Sequence, residues 1–149
     1  MANDTDLFSN YSPDLIVITW GSIVFAGMAD GTFVTAERSE DAYSLKVGAT
    51  GAQTRVRSLN LSGSVKVTLQ QSSLTNDLLS AAYEEDQAFN TFITLPIMIK
   101  DLNGNTLIHA TNSWIKKLPT VEYGKDLTNR EWTFECAAID TFVAGGSVR

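Results

Sequence analysis

The chain has 149 residues, of which 44% are hydrophobic and 19% are charged. This length and composition predict one globular domain over residues 1–149 and exclude a disordered protein, which needs low hydrophobicity and high net charge. The formal charge of -6 argues against sequence-independent nucleic-acid binding, since such a protein needs positive charge to meet phosphate. The single cysteine, Cys136, excludes an internal disulfide framework.

The start of the chain is polar, and we expect residues 1–12 to form an N-terminal arm. Residues 1–10 lack the basic start and the apolar run of a secretory signal. No stretch approaches the length of about 18 apolar residues that predicts a membrane span. We therefore expect no membrane insertion and production in the cytoplasm.

Apolar and β-branched runs at residues 15–20 and 23–26 predict two strands. The Gly21-Ser22 pair between them is typical of a hairpin with a type II′ turn. Because polar residues are almost absent from these runs, we expect both faces of the strand pair to be covered.

A long hairpin is predicted over residues 43–58. Tyr43, Leu45 and Val47 alternate with polar residues, and a glycine-bearing tip follows at residues 48–53. The next segment, residues 59–70, has the clearest alternation in the chain and predicts a half-buried strand. Gly63 inside it indicates a bulge or a close backbone approach. The apolar face of this strand is expected to consist of Leu59, Leu61, Val65, Val67 and Leu69.

The alternation stops at residues 72–86, where the sequence predicts one helix that flanks the sheet. Ser73 or Thr75 is expected to cap its start, because a hydroxyl can accept a bond from a free backbone N–H there. An apolar stripe at helical spacing is expected to lie against the sheet. Its members are Leu74, Leu78, Ala81 and Ala82.

The second half returns to strands, at residues 92–100, 105–110, 114–118 and 129–138. Pro96 favours an edge position for the first of these, because proline cannot donate to the ladder. Asn103-Gly104 predicts a type I′ hairpin turn. In all, eight to ten short strands and one helix predict a mostly β fold, a single-domain β-barrel or sandwich with one flanking α-helix.

The residues offer little for catalysis. His109 is the only histidine, no nucleophile-elbow motif surrounds any serine, and no glycine-rich phosphate loop occurs. Asp101, Asn103 and Asn105 imitate the start of a calcium loop, but the glycine and glutamate that such a loop needs are missing. We therefore expect no catalytic residue, no cofactor and no metal.

Two weaker chemical alternatives remain open. Glu131 and Glu135 share one strand face, as paired carboxylates of a glycosidase could, although solvated carboxylates are the commoner explanation. Three tryptophans, Trp20, Trp114 and Trp132, could form a sugar-stacking platform of a carbohydrate-binding sandwich, although tryptophans in strands are more often core or interface anchors.

Several runs together resemble the tube protein of contractile phage tails. They are residues 36–42 leading into 45–48, residues 63–69 leading into 76–80, and residues 100–104 and 128–136. The likeness covers about residues 12–146. The resemblance also implies a fold similar to the haemolysin-coregulated tube protein of type VI secretion.

This resemblance implies a virion structural subunit whose six copies form a ring, with rings stacked into a hollow tail tube. The implied partners are other copies of the chain and the tail sheath, baseplate and tail terminator proteins. Double-stranded DNA would pass through the tube without being a specific ligand. A tube subunit of a related machine, a contractile bacteriocin or a type VI apparatus, is the main alternative.

Stacking of rings requires an element that reaches the next ring, and the hairpin over residues 43–58 is the candidate. Its tip lacks large apolar residues that would hold it on its own core, and its arginines can meet acidic partners. The expected inter-ring residues are Val47, Gly48, Ala49, Thr50, Gly51, Ala52, Gln53, Arg55 and Arg57. The acidic balance also suggests a lumen that repels phosphate.

Overall fold

The computed structural model describes residues 10–144. Of the expected N-terminal arm, residues 1–9 lie outside the described residues. After a short 3-10 helix at Pro13–Leu15, the described chain forms ten strands and one helix. These are β1 (Ile16–Trp20), β2 (Ile23–Val24), β3 (Val34–Arg38), β4 (Tyr43–Val47), β5 (Gln53–Arg57), β6 (Gly63–Gln70), α1 (Thr75–Phe89), β7 (Leu95–Asp101), β8 (Leu107–Lys117), β9 (Asn129–Cys136) and β10 (Ile139–Phe142).

Eight of these strands form one antiparallel sheet in the order β2-β1-β7-β8-β9-β6-β3, with β10 paired to β8. Strands β4 and β5 form a separate two-stranded sheet. The mostly β fold with one helix is therefore confirmed. Over the described residues the strand order is an open path, so the architecture is sandwich-like and not a closed barrel.

Strand β8 is the longest, and two different strands pair with the edge that faces away from β7. Its first half pairs with β10, as Ala110 does with Ile139, and its second half pairs with β9, as Ser113 does with Cys136. The sequence predicted two separate strands here. They are continuous because β9 and β10 follow each other with a gap of two residues, and the Ala137 N–H bonds to the carbonyl of Asn112 inside that gap.

The sheet curls around an aromatic core. The rings of Trp20 on β1 and Phe134 on β9 lie 5.3 Å apart between centroids, although β7 and β8 separate these strands in the sheet. In a flat sheet the two strands would be about 14 Å apart. Phe25, just after β2, also contacts Phe134, with 5.9 Å between ring centroids. The inner faces of β1, β6, β7 and β9 therefore enclose one hydrophobic cluster.

The alternation predicted for β6 is confirmed over part of its length. Val65, Val67 and Leu69 are fully buried, but the strand begins at Gly63, and Leu59 is 81% exposed. Residues 58–62 lie outside the strands, and the Asn60 side chain accepts a bond from the backbone N–H of Ser62. Such side-chain bonds compete with strand pairing. The expected burial of Leu59 and Leu61 is wrong.

Helix α1 begins and ends three residues later than predicted, at Thr75 and Phe89. Its N-cap is Leu74, which makes no side-chain cap bond, but the Ser73 hydroxyl accepts a bond from the Thr75 N–H at 3.2 Å. The expected bond between a hydroxyl and a free backbone N–H at the helix start is therefore present at Ser73, one residue before the N-cap. Both hydroxyls also link the helix start to the segment after β2. The Thr75 hydroxyl accepts a bond from the Ala26 N–H at 3.1 Å, and the Ser73 hydroxyl donates to the Ala26 carbonyl at 2.6 Å.

The face of α1 that meets the sheet differs from the expected stripe. The buried side chains of the helix are Thr75 and Leu79, and Ala82 lies at the border of the core. Leu74 and Leu78, expected against the sheet, are 78% and 53% exposed. Of the four residues in the expected stripe, Ala82 packs against the core, whereas Leu74, Leu78 and Ala81 face away from it.

The Gly21-Ser22 turn and the strand position of Pro96 can both be compared with their predictions. The Gly21-Ser22 hairpin is confirmed, with Trp20 paired to Ile23 and Gly21 at φ +61°. The edge position expected for Pro96 is wrong, because β7 lies between β1 and β8. Pro96 is tolerated there because the pairing register between β7 and β8 shifts between Leu95 and Ile97, as it does at a β-bulge.

The loop after β7 forms the expected hairpin but not a type I′ turn, because neither Asn103 nor Gly104 has a positive φ. Asn103 is buried, and its side chain is used elsewhere. Its Oδ1 accepts a bond from the Ser12 N–H at 2.9 Å, and its Nδ2 donates to the Ser12 carbonyl at 3.0 Å. The loop therefore fixes the chain where it enters the fold.

Gly63 marks a close backbone approach, as its position inside a strand indicated. A Cβ at this position would lie 2.5 Å from the carbonyl oxygen of Glu37 and 2.5 Å from Cγ2 of Ile139. We expect Gly63→Ala to lower the free energy of unfolding by about 1–3 kcal/mol, because β3 or β10 must move away. Chemical denaturation measures the loss.

The control for this prediction is Gly124→Ala, where a Cβ would meet nothing within 4 Å. That variant should keep the stability of the parent chain. Equal stability of the Gly63 and Gly124 variants would contradict the tight packing of β3, β6 and β10 at Gly63.

Candidate assembly surfaces

The hairpin of β4 and β5 stands away from the rest of the chain. Every residue of both strands is exposed. The pairing runs from Tyr43 opposite Arg57 to Val47 opposite Gln53. Its base closes where the Ser58 N–H bonds to the Ala42 carbonyl at 2.8 Å. The element predicted over residues 43–58 is thus a projecting arm that contributes nothing to the core.

The tip of this hairpin is a short glycine-containing turn. The Gly48 N–H donates to the carbonyl of Ala52 at 2.7 Å, and the Gly51 N–H donates to the carbonyl of Gly48 at 3.0 Å. Gly51 has φ +90°, a conformation that favours glycine. The nine candidate inter-ring residues, 47–53 together with Arg55 and Arg57, therefore lie in one protruding element. Their role in an interface stays a prediction.

One face of the hairpin is both apolar and basic. Residues directly opposite in an antiparallel pair share a face, so Tyr43, Leu45 and Val47 lie on the same side as Arg55 and Arg57. The three apolar side chains are 52%, 61% and 59% exposed in that order. The Arg55 guanidinium lies 4.7 Å above the Tyr43 ring, a cation–π contact that holds the charge over the apolar surface.

Tyr43 and Leu45 were not among the candidate interface residues, although their alternation was visible in the sequence. Alternation is ordinarily evidence for a face that packs on the core of the same chain. Here the alternating face has no core to meet. A large exposed apolar face marks an interaction surface, so these two side chains join the candidate site.

The ends of the large sheet are a second candidate surface. Strands β2 and β3 are the terminal members of the strand order, so each has one edge without a strand partner among residues 10–144. Free edges offer rows of unpaired N–H and C=O groups to a neighbouring chain. Val24 on β2 is also 62% exposed.

The residues that could have formed a catalytic site are not brought together. His109 lies exposed on the outer face of β8, whereas Cys136 is fully buried on the inner face of β9. Glu135 forms an ion pair with Lys116, whose Nζ lies 3.1 Å from Glu135 Oε2. Within residues 10–144 no cluster of His, Cys, Asp and Glu side chains could hold a metal ion.

The tryptophans do not form a sugar-binding platform. Trp20 and Trp132 are 1% and 2% exposed, and only Trp114 is half-buried. The Trp132 indole N–H donates to the Asn76 side chain at 2.8 Å, which links β9 to α1. Two of the three tryptophans are therefore core residues, as aromatic residues in strands commonly are.

The helix of the described range is not long and apolar enough to cross a membrane.

Burial raises the pKa of the Cys136 thiol to about 11, and the charge of Glu135 adds to this shift. The thiolate is the reactive form of cysteine. We therefore expect the native protein to resist a maleimide reagent at about pH 8, and the unfolded protein to react quickly, as measured by mass spectrometry. Stoichiometric labelling of the native chain within minutes would contradict the packing around β9.

The fold is similar to that of chains in two solved assemblies, a contractile injection system and a tube-terminating cap. A chain of the sheath-tube complex of an extracellular contractile injection system, PVC, in its extended state has a TM-score of 0.63 and 11% identity, covering 97% of this chain and 100% of that one. A chain of the cap that terminates the tube of the anti-feeding prophage has a TM-score of 0.56 and 14% identity, with the same coverage. The fold is therefore shared with a chain of a sheath-tube complex and a chain of a tube-terminating cap.

The sequence comparison identifies the family. Residues 12–144 match the model of the family described as bacteriophage PhiTE tail tube protein. The chain belongs to this family of phage tail tube proteins, so it is a structural protein and not an enzyme. The structural protein ORF10 of Pseudomonas phage KPP10 is 27% identical over 146 residues, covering 93% of this chain and 84% of ORF10. The resemblance inferred from the sequence is confirmed.

Proposed function

We propose that six copies of this chain close into a ring, and that the rings stack into the tube of a contractile phage tail. The tube would be the conduit for DNA ejection. The observation that supports this proposal most directly is the exposed β4–β5 hairpin, an arm with an apolar face and no partner in its own chain.

Ring formation would cover the exposed edges of the large sheet. A sheet with two free ends can pair with any other exposed strand, which leads to uncontrolled association. If the β3 edge of one copy meets a neighbour, and the last copy meets the first, every lateral edge is covered within a closed ring. Stacking then needs an element that leaves the plane of the ring.

The hairpin extends away from the core of its own chain. Its five-residue strands project about 17 Å from their base, at roughly 3.3 Å per residue. When the different surface belongs to a copy in the next ring, the contact is not closed by a rotation, so it repeats without limit. A tube of many identical rings is the expected product.

The tube would also have partner proteins and a negatively charged lumen. The extended sheath-tube complex and the terminating cap among the similar structures support tail sheath and tail terminator proteins as partners here, and a baseplate would complete the set. The net charge of -6 supports a lumen that repels the phosphates of double-stranded DNA in transit. Assembly would take place in the host cytoplasm, and the tube would become part of the virion tail.

A second candidate within the same class is a tube subunit of a related injection machine, such as a contractile bacteriocin or a type VI apparatus. The likeness to a chain of an extracellular contractile injection system supports it. Both functions need the same self-assembly. The genes beside the coding sequence separate them, because a phage genome also encodes capsid and packaging proteins.

Electron microscopy of the purified chain at increasing concentration tests the proposal. We expect six-fold rings at intermediate concentration and stacked rings at high concentration, because both contacts gain by mass action. Analytical ultracentrifugation should show the matching rise in mass. A chain that stays monomeric throughout, or that closes into rings of another number, would contradict the proposal of hexameric rings.

Shortening the hairpin tip should separate ring formation from stacking. Replacing residues 48–52 by an Asn-Gly turn keeps the pair of Val47 and Gln53 but removes most of the tip. We expect thermal unfolding and rings to be retained and stacked tubes to be lost, as seen by electron microscopy.

The control changes a different exposed turn, with Asp30→Asn beside Gly31. A Cβ added at Gly31 would have no neighbour within 4 Å. This control should form tubes as the parent chain does. Long tubes in the shortened-tip variant would show that stacking depends on another surface.

A further inference from the structure

Helix α1 carries an exposed apolar stripe that its own sheet does not cover. Leu74, Leu78 and Phe89 are 78%, 53% and 74% exposed. At 100° per residue, these positions and Glu85 fall on one side of the helix, next to but distinct from the side of Thr75 and Leu79 that is buried. A stripe of this kind on the surface of a soluble chain indicates a docking surface.

The helix and the hairpin have opposite charges. Residues 75–89 contain four acidic side chains and no Lys or Arg, and Glu84 and Glu85 are exposed near the end of the helix. Residues 43–57 contain three basic side chains and no Asp or Glu. The helix therefore combines an uncovered apolar face with negative charge, and the hairpin combines an uncovered apolar face with positive charge.

We propose that the hairpin face of one copy packs on the helix stripe of a neighbouring copy. In this contact Tyr43, Leu45 and Val47 cover the stripe of Leu74, Leu78 and Phe89. Arg55 and Arg57 meet Glu84 and Glu85, and this pairing fixes the direction in which the hairpin lies on the helix.

The occupant of the helix stripe is a second copy of this chain for two reasons. Both faces are exposed in the single chain, so they do not cover each other within one molecule. The opposite charges then make one face the natural complement of the other. Because the two faces belong to different elements, the contact is heterologous and continues from copy to copy. The inference rests on the proposed self-assembly and names the receptor of the hairpin.

Disulfide trapping between two variants tests the contact directly. Leu45→Cys and Leu78→Cys are prepared separately, mixed, and oxidised, with the buried Cys136 left in place. We expect a covalent dimer that contains one chain of each variant, identified by mass spectrometry of the linked peptides. The control mixes Leu45→Cys with Thr111→Cys, which lies exposed on β8, and should give no such dimer.

Charge reversal provides an independent measurement. Arg55→Glu with Arg57→Glu, or Glu84→Lys with Glu85→Lys, should each raise the concentration needed for tubes at least about tenfold, because like charges then face each other. A chain that carries all four changes should recover assembly. An equimolar mixture of the two double variants should also recover it, since each hairpin then finds a helix of opposite charge.

The outcomes separate this inference from the proposed function. If the parent chain forms tubes but the disulfide is absent and the four-fold variant fails to recover while its thermal unfolding is unchanged, the inference is wrong and the tube function stands. If the parent chain forms no assemblies, the proposed function itself fails. Recovery by both the combined variant and the mixture, together with the linked dimer, supports the inference.

Discussion

The contact of Phe134 with Trp20 and Phe25 is the interaction on which the rest of the structure depends. It brings β9 against β1 across two intervening strands and so curls the sheet around a single core. Once the sheet has curled, its inner face is complete without β4, β5 or the outward side of α1. The apolar surfaces of the hairpin and of the helix stripe therefore remain exposed and are available for contacts between copies.

Period-two alternation was sufficient to predict the mostly β fold, because one face of each long strand must be buried. On β6 it identified the core positions Val65, Val67 and Leu69 correctly. The family resemblance could also be recognised from the sequence, and the match to tail tube proteins confirms it. Strand order and curl could not be predicted, because they depend on contacts between residues far apart in the chain.

The failures have a common physical cause, which is that periodicity shows an apolar face but not what covers it. The stripe containing Leu74 and Leu78 was expected against the sheet, and Tyr43 and Leu45 were not assigned to the interface, because a sequence alone does not distinguish a core from a contact between copies. The turn after β7 differs from the prediction for another reason. Asn103 lies in this turn, but not in a type I′ conformation, and its amide bonds to the backbone of Ser12.

The proposed hairpin contact would give any stack of these chains a direction. Residues 10–144 contain one such arm, so rings stacked through it in the same orientation would leave unoccupied arms at one end and unoccupied receptor surfaces at the other. The two ends then differ in shape and in charge. A protein that only receives the arm, or only offers one, can bind a single end, so initiation and termination of such a tube can be assigned to different proteins without any change in the repeating subunit.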